Sequence, residues 1–256
     1  MPIELHDSVV GEGPDVVLLH GLFGMGSNLG ALARSLQGEY RVHSVDLPDH
    51  GRSQWLDEAS IPAYADAVAA WMDSRHLDDV ALVGHSLGGK VAMQLALTVT
   101  ARVRQLVVAD IAPVRYPSSH EAVFAALAAV AVAGCRSRNE AATLMAEFLG
   151  EQMVIQFLLM SLRRGADGQY EWRFNREGLF AGYEALREPP ERGNSFEGPA
   201  LFIAGELSPY VTPEEESAIE AYFGFASIQR MSGVGHWLHA EKPDEFNALV
   251  GSFLAG

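Results

Sequence analysis

Cysteine is almost missing from this chain. With Cys135 alone, no disulfide can form within it, and a lone free thiol suits a reducing compartment. Lysine is nearly as scarce. Lys90 and Lys242 are the two lysines among 18 basic residues, and 33 acidic residues set the net charge at −15. So acidic a surface repels phosphate backbones and anionic lipid, which argues against nucleic-acid and peripheral membrane partners. Long apolar runs are missing too. The most apolar stretch, 123–132, is half the roughly 20 residues that a membrane helix needs. The first seven residues lack a basic region and include Glu4 and Asp7, so no signal peptide is expected. These absences predict a soluble, cytoplasmic protein.

What is present is globular material. Of 256 residues, 48% are hydrophobic and 20% charged, which excludes disorder, collagen and coiled coil. A chain of this length buries about three quarters of its unfolded surface and needs no staple. Short apolar runs rich in β-branched residues occur at 16–19, 41–45, 80–83, 106–109 and 200–204, each ending at Gly or Asp or just before one. Such runs read as strands buried on both faces. Helix-period stretches lie between them, for example 63–75 and 90–98. Strand–helix alternation predicts an α/β fold with a parallel sheet and helices on both faces. Chemistry in such sheets sits beyond the carboxyl ends of the strands.

The alternation stops between 114 and 196. Helical patterns alone are read there, near 119–133, 139–150, 151–164 and 176–187. A segment this long is no simple loop and is expected to be a helical cap, or lid. The predicted division is therefore a core of 1–113 and 197–256 with a cap of 114–196. The cap carries nine Arg against ten acids, half of all the cations. These are either solvated helix faces or an attraction for an anionic part of a substrate.

Directly after the run at 80–83 stands Gly84-His85-Ser86-Leu87-Gly88 and then a helical pattern. This is G-x-S-x-G in a strand–turn–helix setting. The tight turn excludes a Cβ at 84 or 88 and exposes the Ser86 hydroxyl at a helix N-terminus, where dipoles favour negative charge. The N–H of Leu87 then faces an oxyanion on an attacked carbonyl. The second donor is expected from His20-Gly21-Leu22-Phe23, at Leu22 or else Phe23, with His20 as a structural hydrogen-bonding residue.

A serine nucleophile needs a general base, and histidine suits neutral pH. In chains with this motif the partners follow in the order nucleophile, acid, histidine. His120, His236 and His239 follow Ser86. His236 lies between glycines and Trp237 in Gly233-Val234-Gly235-His236-Trp237, a loop able to project it over the sheet edge, and is expected to be the base. His239 supports that loop or lines the pocket. The acid has two candidates: Asp110, closing the run 106–109, and Glu206, just after 200–204, in a loop that also carries Ser208. Asp110 is favoured, with Ser208 hydrogen-bonding His236 or Asp110 as an auxiliary.

The segments HGLFGMGSNLGALA from His20, DLPDHGRS from Asp46, GHSLGGK from Gly84, DIAPVRY from Asp110, IQFLL from Ile155, EWRFN from Glu171, SPYV from Ser208 and GHWLHAEKP from Gly235 in this order resemble the α/β-hydrolase superfamily, and more narrowly the YbfF-type bacterial serine esterases. The resemblance implies an α/β-hydrolase fold, a mostly parallel central sheet flanked by helices with a helical lid inserted after the sixth strand. It implies hydrolysis of carboxylic esters, or of acyl thioesters such as acyl-CoA; no cofactor is expected, and with no His-x-x-x-His pair on a predicted helix beside an acid, no metal either. It also supports Asp110 with Ser208 at the acid position. Asp49 stands where the superfamily often has Gly, and both tolerate positive φ. Lys90 fits the pattern without a mechanistic role.

Phe124, Phe157, Leu158, Trp172, Tyr210, Trp237 and His239 are candidate substrate-pocket residues. The partner expected is a small acyl ester or thioester, bound by a monomer or small homo-oligomer. Carbon–carbon hydrolases, lactonases and perhydrolases share the scaffold and serine chemistry. A ligand-binding protein without catalysis is a remoter alternative, because Ser86 and His236 are both present. A dinucleotide site at Gly21-x-x-Gly24-x-Gly26 with Asp46 would have the wrong glycine spacing and would leave 84–89 and His236 without a role.

Overall fold

A computed structural model describes residues 3–256. Among the described residues nine strands run in chain order: β1 (Asp7–Val10), β2 (Asp15–Leu19), β3 (Arg41–Val45), β4 (Val80–His85), β5 (Val103–Ala109), β6 (Leu162–Arg164), β7 (Tyr170–Trp172), β8 (Ala200–Gly205) and β9 (Ala226–Met231). Seven of them form one sheet in the order β1-β3-β2-β4-β5-β8-β9. β1 is antiparallel to β3, and every other pair in the sheet is parallel. The helices are α1 (Gly30–Leu36), α2 (Ile61–Ser74), α3 (Leu87–Thr98), α4 (Glu121–Ala133), α5 (Arg138–Met145), α6 (Gln152–Met160), α7 (Arg176–Ala181), α8 (Tyr183–Leu186), α9 (Pro213–Tyr222), α10 (Leu238–Glu241) and α11 (Pro243–Leu254).

The central strands are buried on both faces, as their unbroken apolar runs predict. Along β2, Val17 and Leu19 join the apolar cluster on one face, and Val16 and Leu18 join the other. Each such side chain contributes about 1.5–3 kcal/mol when fully buried. Helix entry is set by local chemistry. Ser60 accepts the Ala63 N–H at the start of α2, with Pro62 in the first turn, and Thr212 with Glu215 forms a capping box on α9.

The chain turns back between β3 and β4, so β2 and β4 end side by side at the switch point of the sheet. The segment 114–196 follows β5, the fifth strand in this chain rather than the sixth, because a single antiparallel strand precedes β2. It is not purely helical either. The helical stretch expected to Arg164 ends at Met160, and β6 and β7 make an antiparallel hairpin. The turn residue Gly168 has φ +84°, which a longer side chain resists. The segment is fastened to the rest of the chain by polar contacts. Ser161 Oγ donates to Phe23 O at 2.7 Å, and Asn175 N and Nδ2 donate to Asp49 O and Oδ1, both at 2.8 Å. Asp49 has φ +65°. The buried Lys90 ammonium of α3 donates to the carbonyls of Val114, Arg187 and Glu188 at 3.1, 2.5 and 2.7 Å. It thereby holds both ends of the segment. No helix among the described residues is long and apolar enough to cross a membrane.

Two buried histidines join the loops after β2 and β3. His20 Nδ1–H donates to Gly21 O at 2.8 Å, and its Nε2 accepts the Leu47 N–H at 3.0 Å. His50 Nδ1–H donates to Pro48 O at 2.8 Å, and its Nε2 accepts the Phe23 N–H at 3.1 Å. Both rings must be neutral to accept. Burial lowers the His20 pKa to about 4, and burial with the nearby His20 lowers that of His50 to about 3. Asp46 accepts the N–H groups of Gly26 and Arg52 at 2.7 and 3.0 Å, so it closes its own loop and offers no ribose site.

In the unfolded chain these histidines titrate near the ordinary value of about 6.5. Stability is therefore full above that pH and falls as the pH drops towards the folded values, because the unfolded chain binds protons that the fold refuses. Thermal melts between pH 7 and pH 5 should show a declining midpoint. His50→Gln should reduce the slope of stability against pH by up to about 1.4 kcal/mol per pH unit. An unchanged slope would show that His50 is not buried neutral.

Candidate active site

The turn between β4 and α3 places Ser86 at φ +53°, ψ −119°, a region that non-glycine residues rarely occupy. Its neighbours make the turn feasible. A Cβ on Gly84 would stand 2.2 Å from Gly88 O, and one on Gly88 would stand 2.2 Å from Leu19 O. The Ser86 N–H donates to Ala109 O at 3.0 Å, and its carbonyl accepts from Gly89 and Lys90 as α3 begins. The hydroxyl is thus held at the helix N-terminus, above the carboxyl end of the sheet.

His236 comes from the loop after β9. Its Nε2 lies 3.0 Å from Ser86 Oγ, and its Nδ1 lies 2.7 Å from Asp110 Oδ2. The carboxylate can only accept, so Nδ1 carries the ring proton and Nε2 accepts from the serine hydroxyl. Tyr210 stacks on the imidazole with centroids 4.2 Å apart. The buried His85 donates from Nε2 to the His236 carbonyl at 2.8 Å, tying the serine turn to the histidine loop. Burial pushes the His85 pKa well below the ordinary value.

Asp110 is fully buried at the end of β5, with φ +52°. Oδ1 accepts the Gly205 N–H at 2.9 Å, and Oδ2 accepts both His236 Nδ1–H and Ser208 Oγ–H. Ser208 therefore bonds to Asp110, one of the two partners expected of it. Glu206 faces elsewhere. It accepts Ser232 Oγ–H and Gly233 N–H, each at 2.7 Å, and these bonds hold its carboxyl below the usual range.

Among the described residues, the N–H groups of Leu22 and Leu87 have no hydrogen-bond acceptor. That of Phe23 is committed to His50 Nε2, which removes Phe23 as an oxyanion donor. Leu22 and Leu87 are thus the two of the three expected donors whose N–H groups remain free.

A cavity of about 640 Å³ opens over Ser86, a size suited to a small molecule. Phe157, Leu158, Tyr210, Trp237 and His239 line it. Phe124 and Trp172 do not. Phe124 packs edge-on against Phe23, Phe180 and Tyr183. Trp172 stacks on Phe174 and donates from Nε1 to Leu127 O at 3.0 Å. Both are packing residues. The cavity wall also includes His120, Phe148, Leu149, Met153 and Val154, none of them singled out by the sequence except His120 as a weak rival base. Among the described residues no arginine or lysine lines it, whereas Glu151 and Glu241 do. Several arginines of 114–196 pair with acids instead: Arg115 with Glu184 and Glu188, Arg163 with Glu171, and Arg187 with Glu184. The structure thus assigns these cations to surface pairing rather than to an anionic substrate.

A serine on a strand–turn–helix elbow, an imidazole and a buried carboxylate above the switch point of a mostly parallel sheet define an α/β-hydrolase class of protein. The chain belongs to the alpha/beta hydrolase family, whose model matches residues 16–249. It is 40% identical over 240 residues to "Esterase YbfF" of Escherichia coli (strain K12), covering 93% of this chain and 92% of that protein. It is 37% identical over 250 residues to "sn-1-specific diacylglycerol lipase ABHD11" of Mus musculus, covering 94% and 81%. A solved structure, "Marine microorganism esterase", superposes with a TM-score of 0.94 at 32% identity over 98% of this chain and 99% of that one.

Labelling of Ser86 by a fluorophosphonate reads its nucleophilicity without any choice of substrate. Asp110→Asn should slow labelling by about 10⁴-fold, since the amide turns the imidazole to the wrong tautomer. Ser208→Ala removes one bond to a charged acceptor and should slow it by about tenfold. Equal rates for Asp110→Asn and wild type would separate Asp110 from the serine.

Proposed function

We propose that the protein is a serine hydrolase that cleaves carboxylic esters through an acyl-enzyme, with Ser86 as nucleophile, His236 as general base and acid, and Asp110 as orienting carboxylate. One observation carries this reading: a single imidazole bridges Ser86 Oγ at 3.0 Å and Asp110 Oδ2 at 2.7 Å. The relatives named an esterase and a diacylglycerol lipase support ester substrates.

Ser86 Oγ attacks the ester carbonyl while its proton passes to His236 Nε2. The negative charge that develops on the carbonyl oxygen is met by the N–H groups of Leu22 and Leu87, reinforced by the N-terminus of α3. Collapse of the tetrahedral intermediate breaks the bond to the leaving oxygen, which takes the proton from His236. Water then donates a proton to the same nitrogen and attacks the acyl-serine, releasing the acid and restoring the serine. Asp110 steadies the imidazolium in both halves. Ser208 and the Gly205 N–H hold the carboxylate in place.

The segment 114–196 acts as a cap whose apolar side chains, Leu149, Met153, Val154, Phe157 and Leu158, take the acyl chain. The lining favours neutral esters over acyl-CoA. A polyanionic leaving group meets Glu151 and Glu241 and, among the described residues, no arginine or lysine.

The test is a panel of p-nitrophenyl esters of increasing chain length beside acyl-CoAs. Wild type should turn over the esters well and the acyl-CoAs poorly. Ser86→Ala should fold normally and lose at least about 10⁴-fold in kcat. Retained activity in Ser86→Ala, or no turnover of any ester by wild type, would overturn this function.

A further inference from the structure

His120 stands just before α4, and its carbonyl accepts the Phe124 N–H at 2.9 Å. Its ring packs against Phe23 and Tyr183 with centroids 6.2 and 5.4 Å apart and borders the cavity over Ser86. The neighbours of this ring settle where its proton sits. The Tyr183 hydroxyl oxygen lies 2.6 Å from His120 Nδ1 and accepts the Ser119 N–H at 3.4 Å. The Tyr183 hydroxyl has no other acceptor among the described residues, so its proton is satisfied only by donating to Nδ1. Ser119 Oγ, 3.2 Å from the same nitrogen, is a second hydroxyl able to donate there. Nδ1 is then the acceptor of the ring, and Nε2 carries its proton. Burial, aided by His236, lowers the His120 pKa to about 4, so the ring is neutral at neutral pH. Among the described residues Nε2 has no hydrogen-bond partner, and unlike Nδ1 of His239 it is not cut off from solvent. The cap thus presents one fixed, uncharged N–H donor to the space above the serine.

The side of the substrate it meets follows from the proton route. His236 returns its proton to the leaving oxygen, so that oxygen lies at His236 Nε2. His120 and His236 line the same cavity over Ser86. The apolar lining from Leu149 to Leu158 comes from α6 and the residues just before it, a different element from the start of α4 where His120 stands. We propose that His120 is a specificity-determining residue whose Nε2–H donates to an acceptor oxygen on the alcohol portion of the substrate, close to the ester oxygen. The enzyme then selects esters of oxygen-bearing alcohols over esters of plain alkyl alcohols of the same shape. A site built around a buried donor discriminates against an analogue that leaves it unpaired. This inference rests on the serine-hydrolase function proposed above.

Two isosteric ester pairs test it. Methoxyethyl butyrate and butyl butyrate differ by an ether oxygen in the alcohol. Butyl methoxypropanoate and butyl pentanoate differ by one in the acyl chain. For each pair the ratio of kcat/KM is measured in wild type and variants, so intrinsic reactivity cancels between proteins. His120→Phe should lower the alcohol-side ratio about fivefold relative to wild type and leave the acyl-side ratio unchanged. His120→Gln, which keeps a donor, should retain part of the preference. Tyr183→Phe, which frees the tautomer, should lower it by a smaller factor. An alcohol-side ratio unchanged in His120→Phe and His120→Gln, or a change confined to the acyl-side pair, overturns the assignment while the hydrolase function stands. If wild type hydrolyses none of the four esters and Ser86 resists fluorophosphonate, the hydrolase function falls and this inference with it.

Discussion

One imidazole held at both nitrogens is the interaction on which the rest of this molecule depends. His236 bridges Ser86 and Asp110, which lie 150 and 126 residues away in the chain. Neither end of the bridge is free to move. Ser86 is fixed by a turn that admits no Cβ on either flanking glycine. Asp110 is fixed by the Gly205 N–H and the Ser208 hydroxyl. The parallel sheet brings β4, β5 and β8 side by side, so three strand ends present turn, carboxylate and support at one edge. The fold makes proximity a matter of strand order, and the chemistry inherits it.

Three buried histidines support the loops that carry that bridge and its neighbours. His20 and His50 act through their lone pairs, accepting backbone N–H groups that shape the loop carrying Leu22. His85 acts through its proton, donated to the His236 carbonyl. Burial keeps each ring uncharged, so each has a defined donor and a defined acceptor. Neutral rings place no fixed cations beside the imidazole that bridges Ser86 and Asp110. The same economy of charge extends to the cavity wall, which among the described residues holds no arginine or lysine.

The central strands were legible because burial on both faces leaves unbroken apolar runs. β1 was not, because Asp7–Val10 is an edge strand largely exposed to solvent and polar at its start. The hairpin of β6 and β7 was hidden by its three-residue strands and by Arg163, Arg164 and Glu171, which point to solvent. Ser86 and His236 could be read from glycine-flanked turns, and Asp110 from its place after an apolar run. The bond from Ser208 to Asp110 could not be read so directly, since it spans two strand ends. Phe124 was misplaced because α4 is apolar nearly all round, EAVFAALAAVAVA, and its periodicity does not say which face meets the cavity. The tautomer of His120 depends on Tyr183, 63 residues further on, and no local pattern announces it.

The most direct measurement is a crystal structure of the protein after reaction with a small fluorophosphonate. The account predicts a covalent bond from Ser86 Oγ to phosphorus. It also predicts a phosphoryl oxygen about 3 Å from both the Leu22 and Leu87 N–H groups, with the imidazole of His236 still on Asp110. An adduct on another residue, or a phosphoryl oxygen turned away from those two N–H groups, would contradict it.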